Sequence, residues 1–168
     1  MSILQFSTAL TIVAALLAVG AGLTKLLSPR SAVVAMRSVG LPSSDAAVRL
    51  GSLVECAVAV AALVAPSWIA RLLLALSYGA LATFVATALL TGRATNCGCF
   101  GAASGEIGRR HLVLNASLCV GVAATFLARS GAIAASVRPE SLSGAAVLLV
   151  GIVSALLAAT YVSHEGAS

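Results

Sequence analysis

Five long stretches of this chain are almost free of charged residues, and each has about the length of a membrane-crossing helix. The stretches cover residues 3–24, 46–65, 68–91, 111–128 and 142–162. A helix of about 20 apolar residues crosses the hydrocarbon core of a bilayer. Charged residues make up 9% of the 168 residues, whereas about a quarter of a soluble domain is charged. The sequence therefore predicts an all-helical integral membrane protein that lies in the lipid bilayer.

The positive charge of the chain does not indicate a nucleic-acid-binding protein. The formal net charge is +5, but the basic residues lie singly or in pairs at the ends of the apolar stretches. A nucleic-acid interface requires basic residues that cluster on one face, whereas basic residues at the ends of spans are typical of membrane proteins. We therefore expect no nucleic-acid partner and one compact helical bundle.

The segment between the first two apolar stretches has the signals of a short helix. Ser28 would cap it, Pro29 would occupy its first position, and the Gly-Leu-Pro sequence at 40–42 would end it. Arg30 and Arg37 are seven residues apart and would share one face, as in a helix at the membrane interface. A plain surface loop is the alternative. The expected caps of the following helix are Ser43, Ser44 and Asp45.

Two charged residues stand out against the apolar stretches. Lys25 closes the first stretch, and Glu55 lies inside the second. An acidic residue within a span is costly, so it faces a partner or a cavity and marks a functional site. The alternative is a structural carboxylate whose pairing locks two helices together. Cys56 and Cys119 lie within apolar stretches, where a cysteine behaves as a small buried apolar residue.

The residues most specific for chemistry are two cysteines separated by one glycine. Cys97 and Cys99 flank Gly98, and Phe100 and Gly101 follow. The small ring that a disulfide would close here is strained unless the middle residue can take unusual backbone angles, and a strained disulfide exchanges readily. This pattern predicts that the two cysteines carry out thiol–disulfide exchange. We expect Phe100 to seat the loop by packing, and Gly101 to permit a sharp bend.

The order of the predicted spans places several polar residues on one side of the membrane. The connections after the first and third spans must share a side, which brings together Lys25, the cysteine connection and the start of the Glu55 helix. His111 and Asn115 open the fourth span on the same side. We predict a polar pocket beneath the cysteine loop that includes Lys25, Glu55 and Asn115. His111 either accepts a thiol proton or lies at the interface.

Several of these residues together resemble a known family. Residues 97–101 look like the CGCFG signature of the methylamine utilisation MauE proteins. The Gly-Leu-Thr-Lys sequence at 22–25, the Gly-Leu-Pro sequence at 40–42, and Glu55 resemble a pattern shared by MauE and the wider DoxX-like membrane family. Asn115 falls where the MauE pattern tends to have a polar residue. The resemblance covers roughly residues 5–130.

The resemblance implies a redox-associated protein of the plasma membrane. It implies a four-helix core similar to vitamin K epoxide reductase in residues 1–130, with residues 131–168 supplying a linker and a fifth span. The implied activity is disulfide formation or maturation of an exported client protein, together with a thioredoxin-like redox partner. A quinone or a partner protein could take the electrons.

The sequence is also compatible with two other classes of function. Closely spaced thiolates suit soft metals such as Cu(I) or Zn, and a closed metal site would need further ligands such as His111, Glu55 or Cys56. A non-catalytic assembly subunit would instead use small-residue helix faces to bind other membrane proteins.

The two indications of membrane orientation disagree. Basic residues are more numerous on the cysteine side, so the positive-inside rule predicts cytoplasmic cysteines. The family resemblance implies the oxidising, extracytoplasmic side. We adopt the extracytoplasmic orientation, because several of the basic residues could serve a site.

Overall fold

The helical prediction is confirmed by a computed structural model, which describes residues 3–64, 67–92 and 107–127. These ranges contain no strand. The five helices within them are α1 (Ile3–Leu27), α2 (Arg30–Ser38), α3 (Asp45–Val64), α4 (Trp68–Thr91) and α5 (Arg109–Leu127).

Three of these helices are long and apolar enough to cross a membrane. The candidate spans are Ala9–Leu27 in α1, Asp45–Val64 in α3 and Trp68–Thr91 in α4. Helices α1, α3 and α4 agree with the first three predicted spans to within three residues at each end, although the candidate span in α1 begins at Ala9. The fourth predicted span is helical, as α5, but is not among the three. The predicted fifth span lies outside the described residues.

Small side chains form the centre of the bundle. Ala14, Ala15 and Ala18 of α1 are almost fully buried, and they belong to one apolar cluster with Leu74 of α4 and Val122 of α5. Small residues allow helix backbones to approach closely, which is a common basis of helix association in membranes. The core of the described bundle therefore lies where α1, α3, α4 and α5 meet.

Large apolar side chains lie on the outside of the same helices. Leu50 and Leu53 of α3 are 64% and 55% exposed, and Leu76 and Leu90 of α4 are 58% and 88% exposed. An apolar surface of this extent is unfavourable in water and fits contact with lipid. The outer faces of α3 and α4 thus agree with the membrane assignment.

Helices α1 and α3 approach each other closely at Gly22. A Cβ atom on this glycine would collide with the Cys56 thiol and would lie 3.2 Å from the carbonyl oxygen of Ser52. Glycine is therefore required sterically at this position, although its backbone is helical. The close contact brings the final turns of α1 against the middle of α3.

The segment between α1 and α3 is a short helix and not a surface loop. Its predicted start is wrong by one residue, because Pro29 and not Ser28 occupies the N-cap, with φ −70° and ψ −22° and no side-chain cap. Proline is restricted to φ near −65°, so Pro29 already has helical angles and leaves Ser28 outside the helix. At this end the Ser28 carbonyl accepts a bond from the Ser31 hydroxyl at 3.5 Å.

The predicted end of α2 at Gly40 is confirmed in detail. Gly40 has φ +85°, and its N–H donates to Arg37 O while the N–H of Leu41 donates to Met36 O, both at 3.0 Å. This pair of bonds is the Schellman motif, which satisfies carbonyls at a helix C-terminus and favours glycine in the left-handed position. The motif turns the chain back towards α3.

The predicted cap of α3 is also present. The Ser44 hydroxyl accepts a bond from the N–H of Ala47 at 3.2 Å, and Asp45 lies in the first turn. At the opposite side of the membrane, Ser67 caps α4 by accepting from the N–H of Ala70 at 3.4 Å. Such bonds satisfy donors that the first helical turn leaves free.

Candidate functional site

The two charged residues singled out from the sequence form an ion pair inside the bundle. Lys25 Nζ lies 2.7 Å from Glu55 Oε2, and the two side chains are 11% and 12% exposed. Lys25 comes from the last turns of α1 and Glu55 from the middle of α3, which Gly22 holds together. Glu55 therefore has the partner that its position within a span required.

His111 lies in the first turn of α5 and is 2% exposed. The backbone N–H of Gly108 donates to His111 Nδ1 at 3.3 Å, so Nδ1 is the acceptor nitrogen. In a neutral imidazole the proton then resides on Nε2. Nε2 is buried and has no hydrogen-bond partner among the described residues.

Asn115 follows His111 by one helical turn and is 8% exposed. Its amide Nδ2 donates to His111 O at 2.8 Å within α5. This bond engages one of the two amide hydrogens and fixes the side chain against its own helix. The side-chain carbonyl of Asn115 keeps its capacity to accept a bond.

Tyr78 is a polar residue of the site that the sequence did not reveal. It lies in the middle of α4, is 4% exposed, and its hydroxyl donates to the carbonyl oxygen of Ala14 in α1 at 2.5 Å. A buried tyrosine hydroxyl normally finds such a partner. The sequence does show a tyrosine within an otherwise apolar span. The direction in which its hydroxyl points depends on the rotation of α4, which the sequence does not give.

A small cavity of ≈ 30 Å³ brings these polar residues together. Glu55, Tyr78, His111 and Asn115 contribute to its wall from three different helices. The remaining wall is apolar and consists of Leu17, Ala18, Ala21, Leu81, Leu114 and Leu118. Of the three residues predicted to shape a pocket beneath the cysteine loop, Glu55 and Asn115 line this cavity together with His111, whereas Lys25 does not.

A second and much larger pocket of ≈ 460 Å³ lies among α1, α2, α3 and α4. Lys25 and Glu55 supply its charged groups, and Met36, Leu41 and Phe84 are among its apolar lining residues. Pockets of this size can bind small molecules. Glu55 lines both this pocket and the small cavity, so it connects the two spaces.

The predicted redox loop lies outside the described residues. This applies to Cys97, Gly98, Cys99, Phe100 and Gly101. The flanking elements are described: α4 ends at Thr91, Gly92 follows in a left-handed conformation with φ +61°, and α5 begins at Arg109. The cysteine connection therefore joins the end of α4 to the start of α5, whose first turn carries His111.

The other two cysteines, which the sequence predicted to be buried, are only partly buried. Cys56 and Cys119 are free thiols and half-buried. The Cys56 thiol points to the carbonyl oxygen of Val19 at 3.8 Å, and Cys119 lies beside Gly79 at the α4–α5 contact. Among the residues that the structure describes, no three His, Cys, Asp or Glu side chains are grouped as metal ligands.

Comparison with known proteins assigns most of the chain to a family. The family described as "Methylamine utilisation protein MauE" matches residues 3–129, a range that includes all five described helices and the cysteine connection. No curated protein and no solved structure matches the chain significantly. The match extends over more than half of the chain and agrees with its apolar helices. The chain is therefore a membrane protein that belongs to the MauE family, involved in methylamine utilisation.

Proposed function

We propose that this protein carries out thiol–disulfide exchange through Cys97 and Cys99, and so supports disulfide formation or maturation of an exported protein. One observation carries the proposal. Glu55, His111 and Asn115 are buried together around one cavity, at the end of the bundle where the cysteine connection meets α5. Buried ionisable groups within a membrane bundle are characteristic of functional sites.

The chemistry requires one cysteine to attack and the other to resolve. When the pair is oxidised, a client thiolate attacks one sulfur, and a second client thiol displaces that sulfur to complete the client disulfide. Cys97 and Cys99 are then left as thiols, and the client has lost two electrons and two protons. His111 is the nearest described imidazole in sequence to the pair and is our candidate proton acceptor, provided that its Nδ1 releases the bond from Gly108 N–H.

Regeneration of the disulfide removes two electrons and two protons from the cysteine pair. A thioredoxin-like partner disulfide could accept them by a second exchange, or a quinone could accept them and become a quinol. The large pocket fits a quinone, because it combines an apolar lining with the Lys25 ammonium, which can donate to a carbonyl oxygen. Lys25, Glu55 and the apolar side chains of α2 and α4 would hold this group.

We also propose a more specific relation to known membrane protein families. We assign the CGCFG sequence as the family signature, and we infer a likeness to DoxX-like proteins. We further infer that α1, α3, α4 and α5 form a four-helix core like that of vitamin K epoxide reductase, within a domain of residues 1–130, and that residues 131–168 add a linker and a fifth span. The shared core cluster of these helices supports this inference.

We place the cysteine connection on the extracytoplasmic side of the plasma membrane. Local contacts of the basic residues support this orientation against the charge rule. Lys25 is engaged by Glu55 at 2.7 Å, and the Arg37 guanidinium donates to Ser43 O at 2.7 and 3.1 Å. Such residues have structural roles besides any effect on topology.

Thiol alkylation followed by mass measurement tests this function. We expect Cys97 and Cys99 to be protected from alkylation before reduction and to gain two alkyl groups after reduction. Cys56 and Cys119 serve as internal controls, because they are free thiols. Permanently reduced thiols with a stoichiometric metal would indicate the soft-metal alternative, and full function of a Cys97→Ser, Cys99→Ser variant would indicate an assembly subunit.

A further inference from the structure

The small cavity beside His111 presents a buried donor that lacks a partner among the described residues. His111 is 2% exposed, and its Nε2 is without a hydrogen bond within the described ranges. Because Gly108 N–H already donates to Nδ1, the unpaired atom of the neutral ring is the Nε2–H donor. An unsatisfied buried donor is destabilising, so a partner is expected.

Two of the donors of the neighbouring polar residues already have backbone partners. The Tyr78 hydroxyl donates to Ala14 O at 2.5 Å, and one Asn115 amide hydrogen is engaged by His111 O at 2.8 Å. Glu55 presents a carboxylate, which accepts from Lys25 at one oxygen and has further lone pairs. The wall of the cavity therefore includes a residue with an unpaired donor, His111 of α5, and a residue with acceptor capacity, Glu55 of α3.

The size of the cavity selects what can lie between them. A buried water needs a volume of roughly 10–15 Å³ and two to four polar partners. The cavity has ≈ 30 Å³ and four polar residues in its wall. It is large enough for one water molecule and too small for an organic ligand.

We propose that the cavity is a binding site for a single water molecule, which accepts the His111 Nε2–H bond and donates to the Glu55 carboxylate. Asn115 Oδ1 and the Tyr78 oxygen are the further acceptors within the wall. The water completes a hydrogen-bonded chain that runs from Lys25 on α1 through Glu55 on α3 to His111 on α5. The chain links the large pocket to the helix end that borders the cysteine connection.

The water site shares its residues with the redox proposal but does not depend on the cysteine chemistry, and it makes α1, α3 and α5 one hydrogen-bonded unit. Loss of the water would leave both His111 and Glu55 incompletely satisfied. It would also separate the ion pair from the first turn of α5. His111 is then a positioning residue whose ring orientation depends on Glu55 through the water.

Nuclear magnetic resonance of the full chain with ¹⁵N-labelled histidine tests the proposal. The chain has two histidines, His111 and His164, so a His164→Gln variant assigns the His111 signals. We expect a slowly exchanging Nε2–H proton with a cross-peak at the water frequency. Absence of that cross-peak, or a bond from Nε2–H to a residue of the 93–106 connection, would overturn the proposal.

Filling the cavity provides a matched comparison that keeps every polar group. Ala18 lines the cavity, whereas Ala15 is equally buried in the core and lines neither space. Ala18→Val should abolish the water cross-peak and shift the His111 resonances, and Ala15→Val should leave both unchanged. Ala21→Val offers a second filling variant if Ala18→Val does not fold. A cross-peak that survives in a folded filling variant would contradict the water site.

Discussion

Glu55 is the residue on which the described site depends most. It accepts from Lys25 at 2.7 Å and borders both the large pocket and the small cavity. The sequence was sufficient to predict that an acid within a span has a partner. It could not identify that partner, because Lys25 is 30 residues away, and the contact depends on how α1 and α3 are rotated against each other.

Replacement of either charged partner should destabilise the protein more than replacement of both. Lys25→Met or Glu55→Leu alone leaves an uncompensated buried charge, with an expected loss of about 3–5 kcal/mol in the free energy of unfolding. The double variant should lose less than either single variant, and so clearly less than their sum, because no unpaired charge remains. Denaturation of the purified protein in detergent measures the three values. Additive losses would show that the pair is not coupled.

Gly22 leaves no room for a side chain between α1 and α3, whereas its helical backbone conformation does not itself require glycine. Gly22→Ala should lower the free energy of unfolding by about 1–3 kcal/mol, because the new methyl group overpacks the α1–α3 contact at the Cys56 thiol. Gly20→Ala is the matched control, since nothing lies within 4 Å of its added Cβ. A Cys56→Ala replacement should recover part of the loss. Equal stability of the Gly22 and Gly20 variants would contradict the close approach.

At the scale of elements, the apolar stretches predicted α1, α3 and α4 well, because length and hydropathy are local properties of the sequence. The helix between α1 and α3 was less certain, since α2 has nine residues and a short pattern fits a loop equally well. The end of α2 at Gly40 could be predicted, because glycine favours the left-handed conformation that ends a helix. Its start was displaced, because Pro29 has helical angles and takes the cap position itself.

The end of α2 should depend on the left-handed conformation of Gly40. A non-glycine residue at φ +85° costs roughly 1–2 kcal/mol, so Gly40→Ala should weaken the bonds from Gly40 and Leu41 to the helix end. Hydrogen exchange of these amides should accelerate. Gly51→Ala, which meets nothing within 4 Å and has no positive φ, should leave their exchange unchanged. Unchanged exchange in Gly40→Ala would contradict this account of the turn.

At the scale of the whole molecule, the order of spans placed Lys25, His111 and Asn115 on one side, with Glu55 deeper in the helix that starts there. The structure brings Glu55, His111 and Asn115 to one cavity. The placement on one side followed from counting membrane crossings. The two cavities and the contribution of Tyr78 could not be predicted in this way, because they depend on helix rotation and on gaps between side chains. The cysteine chemistry remains a prediction from motif and family.

If α3 spans the membrane, cysteines placed at its two ends should be labelled from opposite sides. Leu41 lies before α3 and is 46% exposed, and Trp68 lies at the start of α4 and is 64% exposed. In a variant without the native cysteines, Leu41→Cys should react with an impermeant maleimide in intact cells. Trp68→Cys should react after the membrane is permeabilised. The reverse pattern would place the cysteine connection in the cytoplasm, and labelling of both from one side would contradict a spanning α3.

Trapping of a mixed disulfide tests the central claim most directly. In exchange chemistry the attacking cysteine forms a covalent bond to its partner, and the resolving cysteine releases it. Single Cys97→Ala and Cys99→Ala variants, expressed in intact cells and separated without reductant, should differ. One of them should accumulate a reducible adduct of higher mass, and the double variant should accumulate none. Absence of any reducible adduct in both single variants would contradict thiol–disulfide exchange at this pair.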